Sequence, residues 1–219
     1  MVEQKLFSLV VLSLRFNNMK FFFGLIAVFI FYQSSAQIPA HKYKTGYALP
    51  HLVLADAFGN ITDTDSLRGH KILITFNRYV NCPLCNFRTH ELLEYYDSLK
   101  RAGFIFISIY ESGKETLTEY TTKEEIPFIM IPNPDLSLYK LFKVKRSWLK
   151  SFTGLFHHFS AKHKPGIKLF KQRYKRDGHL NQIGADFLID EEGIVHIAYY
   201  GKYVGDHYPV NEIVKWVME

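Results

Sequence analysis

The chain has 219 residues, of which 47% are hydrophobic and 22% are charged, with 27 Lys and Arg against 21 Asp and Glu. This length and apolar content suit one α/β domain with a single core. The two cysteines could supply only half of the ligands that a structural zinc ion needs, and the histidines that come closest to a suitable spacing, His157, His158 and His163, lie in a basic amphipathic stretch. The composition therefore argues against a zinc protein.

The N-terminal segment has the pattern of a secretory signal. Basic Lys20 precedes an apolar run over residues 21–31, and small residues precede Gln37. The apolar run is shorter than the ~20 residues needed to span a bilayer. The sequence therefore predicts a signal peptide over residues 1–36, cleaved after Ala36, and an exported, periplasmic domain over residues 37–219. Without cleavage, the segment would be an N-terminal membrane anchor.

Strands and helices alternate along the rest of the chain. The first half of the chain predicts a strand over 51–56 with a turn at Gly59, a strand over 71–79, a helix over 83–101 ended by Gly103, and a strand over 104–110. A helix over 113–125, a strand over 127–131 and a short helix from Asp135 to Phe142 follow. The last predicted elements are a hairpin of 185–190 and 194–200 and a helix over 209–217. This order predicts an α/β fold whose sheet begins with parallel βαβ units and ends in an antiparallel hairpin. It is the thioredoxin-like order, with a mixed central sheet flanked by helices.

Cys82 and Cys85 lie at the junction between a predicted strand and a predicted helix. At a helix N-terminus, unpaired N–H groups and the helix dipole favour thiolate over thiol. Cys85 follows one turn later, close enough to close a disulfide. This spacing is typical of thiol–disulfide exchange. We expect Cys82 to be the more exposed thiol and the nucleophile, with Cys85 resolving. A structural disulfide is the alternative, but so small a loop would stabilise the fold weakly.

Three stretches of the chain carry recognisable motifs. Residues 76–88 contain F-x-R-x-x-x-C-x-x-C, residues 182–193 read Q-x-G-x-x-F-x-I-D-x-x-G, and residues 205–210 read G-D-x-x-P-V. These motifs resemble the strand, turn and helix, the hairpin start and the closing segment of the peroxiredoxin-like branch of the alkyl hydroperoxide reductase and thiol-specific antioxidant family. The resemblance covers about residues 45–217. It implies a thioredoxin-like fold, a basic helical insert at about 145–176, and a redox-active thiol pair in a thiol-dependent oxidoreductase.

Two departures from related patterns affect the expected reaction. Typical peroxiredoxins carry Pro-x-x-x-Thr/Ser-x-x-Cys, in which the hydroxyl acts with an arginine on the peroxide, whereas this chain has Thr75 at the proline position and Tyr79 at the hydroxyl position. Typical thioredoxins carry a cis-proline before the hairpin, where this chain has Gly184 and Ala185. The sequence therefore favours thiol–disulfide exchange with protein or small-molecule partners. Peroxide reduction through Cys82 is the alternative.

Two residues are candidates for a supporting role. Arg78 precedes Cys82 by four residues, near the carboxyl end of a strand, and could stabilise the thiolate or simply be solvated or salt-bridged. Gln182 could hydrogen-bond a substrate or satisfy loop backbone groups. We expect no cofactor and no metal. A non-catalytic copper carrier is a hypothesis of another class, and it would need His179 or His207 as a third ligand.

Residues 140–176 contain twelve Lys and Arg and no Asp or Glu. Within them, apolar residues occur at the spacing of one helical face: Trp148, Phe152, Leu155, Phe156 and Phe159. This pattern predicts an amphipathic segment that either covers the site as a lid or lies on anionic lipid. We favour the first, because apolar helical faces usually pack on their own domain. An exported chain is a poor partner for nucleic acid despite this charge.

Overall fold

The computed structural model describes residues 41–122, 125–154, 156–157, 159–169 and 176–219, and at 159 and 160 it describes only the backbone. The predicted signal peptide over residues 1–36 lies outside these ranges. The described residues belong to one compact unit, Ile38–Glu219. No helix formed by them combines the length and apolar character needed to cross a membrane.

The central sheet of the described residues has five strands, which are β3 (Ile72–Phe76), β4 (Ile105–Tyr110), β5 (Ile129–Pro132), β6 (Ala185–Ile189) and β7 (Val195–Tyr200). Their spatial order is β5-β4-β3-β6-β7. The first three are parallel, whereas β6 runs antiparallel to both β3 and β7. A separate antiparallel ribbon consists of β1 (Val53–Ala55) and β2 (Ile61–Asp63). The predicted thioredoxin-like mixed sheet and its closing hairpin are confirmed.

Both faces of the central sheet are covered. Side chains alternate between the faces of a strand, so Ile72 and Phe76 of β3 join one apolar cluster and Leu73 joins another. On one face Phe76 contacts the rings of Phe142 and Phe187. All residues of β3 and β6 are buried. This explains why these strands are apolar at almost every position rather than at alternate ones.

In the part of the chain that the structure describes, five α-helices flank the sheet outside the insert: α1 (Pro83–Leu93), α2 (Tyr96–Arg101), α3 (Lys114–Tyr120), α4 (Ser137–Leu141) and α7 (Val210–Met218). The prediction of one helix over 83–101 is wrong. The chain breaks at Tyr95, whose N–H donates to the carbonyl of Leu92 rather than one residue earlier. From Tyr95 onward the helical pattern resumes, because the N–H of Leu99 donates to the Tyr95 carbonyl at 3.0 Å. The chain therefore turns between Leu93 and Tyr96, and the buried Leu92 and Leu99 belong to two separate helices.

The insert forms two helices, α5 (Trp148–Gly154) and α6 (Phe159–Lys168). Helix α6 packs on α1, and the Gly166 carbonyl accepts a hydrogen bond from the Asn86 side chain at 3.4 Å. The preference for an apolar face docked on the domain is wrong for Trp148, Phe152 and Phe156, which are exposed. The reason is that α5 uses the opposite side of the helix to contact the body of the domain. Leu155 and the side chain of Phe159 lie outside the described residues.

Candidate active site

The two cysteines lie at the carboxyl edge of the sheet, where β3 leads into α1. Cys82 is the N-cap of α1, with extended backbone angles (φ −72°, ψ 122°), and Pro83 occupies the first helical position, where proline fits best. The carbonyl of Cys82 accepts the N–H of Asn86 at 2.9 Å, which closes the first helical turn. The predicted position of the first thiol at a helix N-terminus is confirmed.

Both thiols are buried, and the expectation that Cys82 is the more exposed one is wrong. Cys82 is 0% exposed and Cys85 is 3% exposed. They belong to a small apolar cluster with Tyr79, Leu84, Ile183 and Val204. Helix α6 adds a second cover, because Gly166 lies so close to Pro83 that a side chain at position 166 would meet the Pro83 carbonyl oxygen at 1.9 Å. The side chains packed directly with the two cysteines therefore come from outside the insert, and α6 covers the adjacent Pro83.

The two thiols have opposite pKa shifts. Burial by itself would raise the pKa of Cys82, but a hydrogen bond from the Cys85 thiol and the charge of Arg78 outweigh burial and lower that pKa to about 6. The backbone N–H groups of Leu84 and Cys85 act in the same direction. Burial raises the pKa of Cys85 well above its ordinary value, and its hydrogen bond to Cys82 and the neighbouring negative charge raise it further.

Arg78 is the cation of this site. Its backbone N–H donates to the Cys85 sulfur at 3.4 Å, its Nη2 lies 3.4 Å from the Tyr79 hydroxyl, and its guanidinium stands over the Tyr79 ring. Burial alone would lower the pKa of Arg78, but the charges of the two sulfurs raise it, so the side chain stays protonated. Of the two roles considered from the sequence, the geometry fits thiolate stabilisation better than a solvated arginine.

A cavity of about 370 Å³ opens beside Cys82. Its walls are mostly apolar, and they come from both the C-x-x-C region and the insert: Arg78, Tyr79, Pro83, Leu84, Trp148, Ser151, Phe152, His163, Leu180 and Val204. Such a volume, with a few polar groups on apolar walls, suits a small molecule. The immediate chain neighbours of Cys82 therefore border a space that a small substrate could enter.

The remaining candidates have other partners. Gln182 is buried and its Nε2 donates to the Ile183 carbonyl at 3.0 Å, which matches the reading in which it satisfies loop backbone. The Nδ1 of His179 lies 3.0 Å from Glu111, and the Nδ1 of His207 lies 3.1 Å from Asp186. Within the described ranges, one cluster has three potential metal ligands in reach of one another, and it contains neither cysteine. These contacts lend no support to a copper carrier.

Sequence reasoning missed a buried ionic network behind the cysteines. The fully buried Asp186 carboxylate accepts from Thr75 Oγ1 at 2.6 Å and from the N–H of Tyr208 at 2.6 Å. It also lies 3.1 Å from His207 and 3.6 Å from Arg88. Burial would raise the pKa of Asp186, but the charges of His207 and Arg88 hold it well below its usual range. The sequence contained a signal for this network, because Arg88, Asp186 and His207 each lie in a different one of the three family motifs.

The same network explains the residue at the position of the thioredoxin proline. A Cβ on Gly184 would lie 2.7 Å from the His207 ring and 3.2 Å from the carbonyl oxygen of Phe76. The His207 ring therefore occupies the space that a larger residue at 184 would need, and glycine is required there by close packing. Among the described residues all peptide bonds are trans, so this site also lacks the cis peptide bond that typical thioredoxins have before the hairpin.

Comparison with known proteins assigns the chain to a family. The sequence model of the AhpC/TSA family matches residues 45–198. The chain belongs to the AhpC/TSA family. As a member, it is similar to Peroxiredoxin Bcp of Escherichia coli K12, with 26% identity over 144 residues that cover 66% of this chain and 86% of that protein.

Solved structures share the fold of this AhpC/TSA protein. Peroxidoxin BcpB from Mycobacterium tuberculosis superposes with a TM-score of 0.56 at 14% identity, covering 81% of this chain and 96% of that one. A Plasmodium vivax 2-Cys peroxiredoxin gives 0.54 at 14% identity, covering 80% and 81%. A putative thiol:disulfide interchange protein, DsbE, from Chlorobium tepidum gives 0.50 at 15% identity, covering 81% and 96%. At these identities the likeness shows the fold.

This AhpC/TSA protein is a thiol-dependent oxidoreductase, and the C-x-x-C pair of Cys82 and Cys85 fits that activity. An ionised sulfur in hydrogen-bond contact with a protonated one can form a covalent bond to a substrate and then be released by its neighbour. The family implies a thiol reductant and peroxide substrates.

Proposed function

We propose that this protein is a thiol peroxidase in which Cys82 attacks the hydroperoxide and Cys85 resolves the product as an intramolecular disulfide. The observation that carries the proposal is that Cys82, which is fully buried and has a pKa of about 6, is directly followed by Pro83 and Leu84, which line a cavity of about 370 Å³. Thiol–disulfide exchange, which the sequence favoured, becomes the second hypothesis. The similarity to Peroxiredoxin Bcp supports this order.

The burial of the sulfurs discriminates between the two substrate classes. Either substrate must displace covering side chains to reach a sulfur that is 0% exposed, but a folded protein would need a far larger opening than a hydroperoxide would. A hydroperoxide is small enough to enter the cavity between Leu84 and Val204. The cavity therefore supports a small substrate.

The two cysteine sulfurs supply the two electrons that reduce the hydroperoxide. The Cys82 thiolate attacks the terminal oxygen of the hydroperoxide, the O–O bond breaks, and Cys82 becomes a sulfenic acid while the alkoxide takes up a proton and leaves as an alcohol. Cys85 then attacks the Cys82 sulfur, and the expelled hydroxide takes the Cys85 proton and leaves as water. Two equivalents of an external thiol return the disulfide to the dithiol and are themselves oxidised.

Arg78 and Tyr79 supply polar groups for this reaction. Typical peroxiredoxins use a hydroxyl three residues before the reactive cysteine together with an arginine, and Tyr79 occupies that position here. The Tyr79 hydroxyl and the Arg78 guanidinium lie 3.4 Å apart, and both residues line the cavity. A cation and a hydroxyl at this place can polarise an O–O bond and stabilise the negative charge that develops on the leaving oxygen.

A peroxide-consumption assay tests the proposal. The full chain, with dithiothreitol as reductant, is expected to consume hydrogen peroxide and cumene hydroperoxide, and Cys82→Ser should abolish turnover. Cys85→Ser should reduce one equivalent of peroxide and retain one added oxygen on Cys82, detectable by mass spectrometry and by dimedone trapping. Reduction of insulin disulfides without peroxide consumption would contradict the proposal and support exchange instead.

We propose in addition that the chain is exported. The support is the basic, apolar and small-residue pattern of residues 19–36. Expression of the full chain in a Gram-negative host, followed by fractionation and N-terminal sequencing, should give a periplasmic protein that begins at Gln37. Recovery of the uncleaved chain in the cytosol would refute export, and an uncleaved membrane-bound chain would indicate an anchor.

A further inference from the structure

Helix α5 and the turn that follows it present an unusual amount of apolar surface to solvent. Four large side chains form what we call the α5 patch: Trp148, Leu149, Phe152 and Phe156, which are 68%, 75%, 61% and 77% exposed. The rings of Phe152 and Phe156 contact each other edge to face, with centroids 5.8 Å apart. Single exposed apolar residues are common in proteins, but a contiguous aromatic patch marks a surface for interaction.

The orientation of α5 is determined by specific contacts on its other side. The Lys150 Nζ donates to the Gly201 carbonyl at 2.7 Å. Gly154 is buried against Val204, where a Cβ at 154 would lie 2.7 Å from a Val204 methyl group. At 100° per residue, positions 150 and 154 lie on one side of the helix, and positions 148, 149 and 152 lie on the other. The exposure of the α5 patch therefore follows from how the helix is attached to the domain.

The charge around the patch selects one kind of partner. Lys145 and Arg146, just before α5, are exposed, and Lys164 and Lys168 of α6 are exposed as well. Residues 140–176 carry twelve basic residues and no acidic one. Apolar aromatic side chains in a segment whose charged residues are all lysine or arginine match the interface of an anionic bilayer, where rings enter the headgroup region and cations contact phosphate.

We propose that the α5 patch docks this protein on the surface of an anionic lipid bilayer. Trp148 and Phe152 also form part of the wall of the cavity beside Cys82. Docking through them places the opening of the cavity at the lipid surface. If the proposed peroxidase function holds, hydroperoxides carried on lipid acyl chains are then its substrate class, and this consequence, unlike the docking itself, rests on that function.

Trp148 provides a local reporter for the docking. The chain has two tryptophans, so Trp216→Phe in the full chain leaves Trp148 as the sole emitter. Vesicles containing phosphatidylglycerol should shift its emission to the blue and allow quenching by brominated acyl chains, whereas pure phosphatidylcholine vesicles should have little effect. This readout reports α5 itself, so membrane binding by residues 1–36 cannot imitate it. No shift with either lipid, or equal shifts with both, would overturn the proposal.

Matched variants distinguish lipid binding through the α5 patch from non-specific hydrophobic binding. In the Trp216→Phe background, Phe152→Ser should weaken the lipid response. Ile61→Ser, which removes an apolar side chain of 65% exposure from the β1–β2 ribbon, should not. A blue shift without lipid that grows with protein concentration, with dimers in sedimentation, would show that a second copy of the chain covers the patch and would refute the lipid proposal.

A charge variant separates docking from catalysis. Lys145→Gln with Arg146→Gln should weaken binding to anionic vesicles by about 30-fold, since each basic residue near such a surface contributes about 1 kcal/mol. Turnover of hydrogen peroxide in solution should be unchanged, because neither residue lines the cavity. Loss of vesicle binding with retained turnover supports the docking site. Retained binding overturns it, whatever the outcome of the peroxide assay.

Discussion

The Cys85 thiol donates a hydrogen bond to the Cys82 sulfur, and this contact makes two chemically identical groups behave differently. It favours a negative charge on Cys82 and a retained proton on Cys85. Arg78 strengthens the difference, because its charge lowers the pKa of Cys82, the acceptor of that bond. An asymmetric pair of this kind assigns the attacking role to Cys82 and the resolving role to Cys85.

We predict that alkylation of the reduced protein occurs first at Cys82, with a midpoint near pH 6. The pKa of Cys82 is lowered to about 6, so its reactive thiolate is present above that pH and is lost as the pH falls through it. Cys85→Ala removes the hydrogen-bond donor and should move the midpoint upward, whereas Cys85→Ser keeps a hydroxyl donor and should move it less. Iodoacetamide kinetics with mass spectrometry check this, and a midpoint near 8.5 or first modification of Cys85 would contradict it.

Arg78→Leu should raise the pKa of Cys82. Removing an opposite charge from a buried ionised group typically shifts its pKa by one unit or more, so alkylation at pH 6 should slow by about fivefold or more. Arg78→Lys keeps the charge and should slow alkylation less. The complete pH profile of the rate is the measurement that distinguishes this electrostatic role from a purely structural one, because only the electrostatic role moves the midpoint. An unchanged midpoint in Arg78→Leu would show that Arg78 does not act on the thiolate.

Gly166→Ala should increase the accessibility of Cys82. The new methyl group would meet the Pro83 carbonyl oxygen at 1.9 Å, so α6 must move away from α1. Over-packing of this kind destabilises the packed arrangement of α6 on α1 by about 1–3 kcal/mol. Because each 1.4 kcal/mol is a factor of ten in an equilibrium constant, the open arrangement should become more populated and alkylation of Cys82 should accelerate by about tenfold. Gly113→Ala is the matched control, because its added Cβ meets Glu115 only at an ordinary 3.6 Å. Equal rates in both variants would show that α6 does not limit access.

Asp186→Asn should lower the free energy of unfolding by about 3–5 kcal/mol at pH 7, as is usual when one partner of a buried ionic group is removed. The pKa of Asp186 lies below its ordinary value in the folded state. Its contribution to stability is therefore present above the unfolded pKa of about 4 and is lost as the pH falls below it.

The pH dependence supplies the check on that interpretation. The stability difference between wild type and Asp186→Asn, measured by urea unfolding, should be largest at neutral pH and should shrink below about pH 4. Glu119→Gln, at an exposed position, should change stability by less than about 0.5 kcal/mol at either pH. A difference that is constant with pH would show that the charge of Asp186 does not contribute.

Part of this structure follows from local patterns in the chain. Continuous apolar runs such as 105–110 predict buried strands, glycine at 103 ends a helical stretch, and the spacing of Cys82 and Cys85 places one thiol at a helix start. The break at Tyr95 was not predictable in this way, because the apolar spacing continues across it and only packing of the sheet face selects the bend.

The sequence by itself determined the order of the elements, the pair of sulfurs and the concentration of basic charge in the insert, since each depends on residues that are near one another in the chain. Tertiary structure decided the rest. It packed an insert that begins more than sixty residues later against Pro83, beside the buried Cys82, and it brought Arg88, Asp186 and His207 into one network. It also turned the α5 patch outward. The physical reason is that burial, ionic contacts and the orientation of a helix depend on which distant surfaces meet, and no local spacing encodes that.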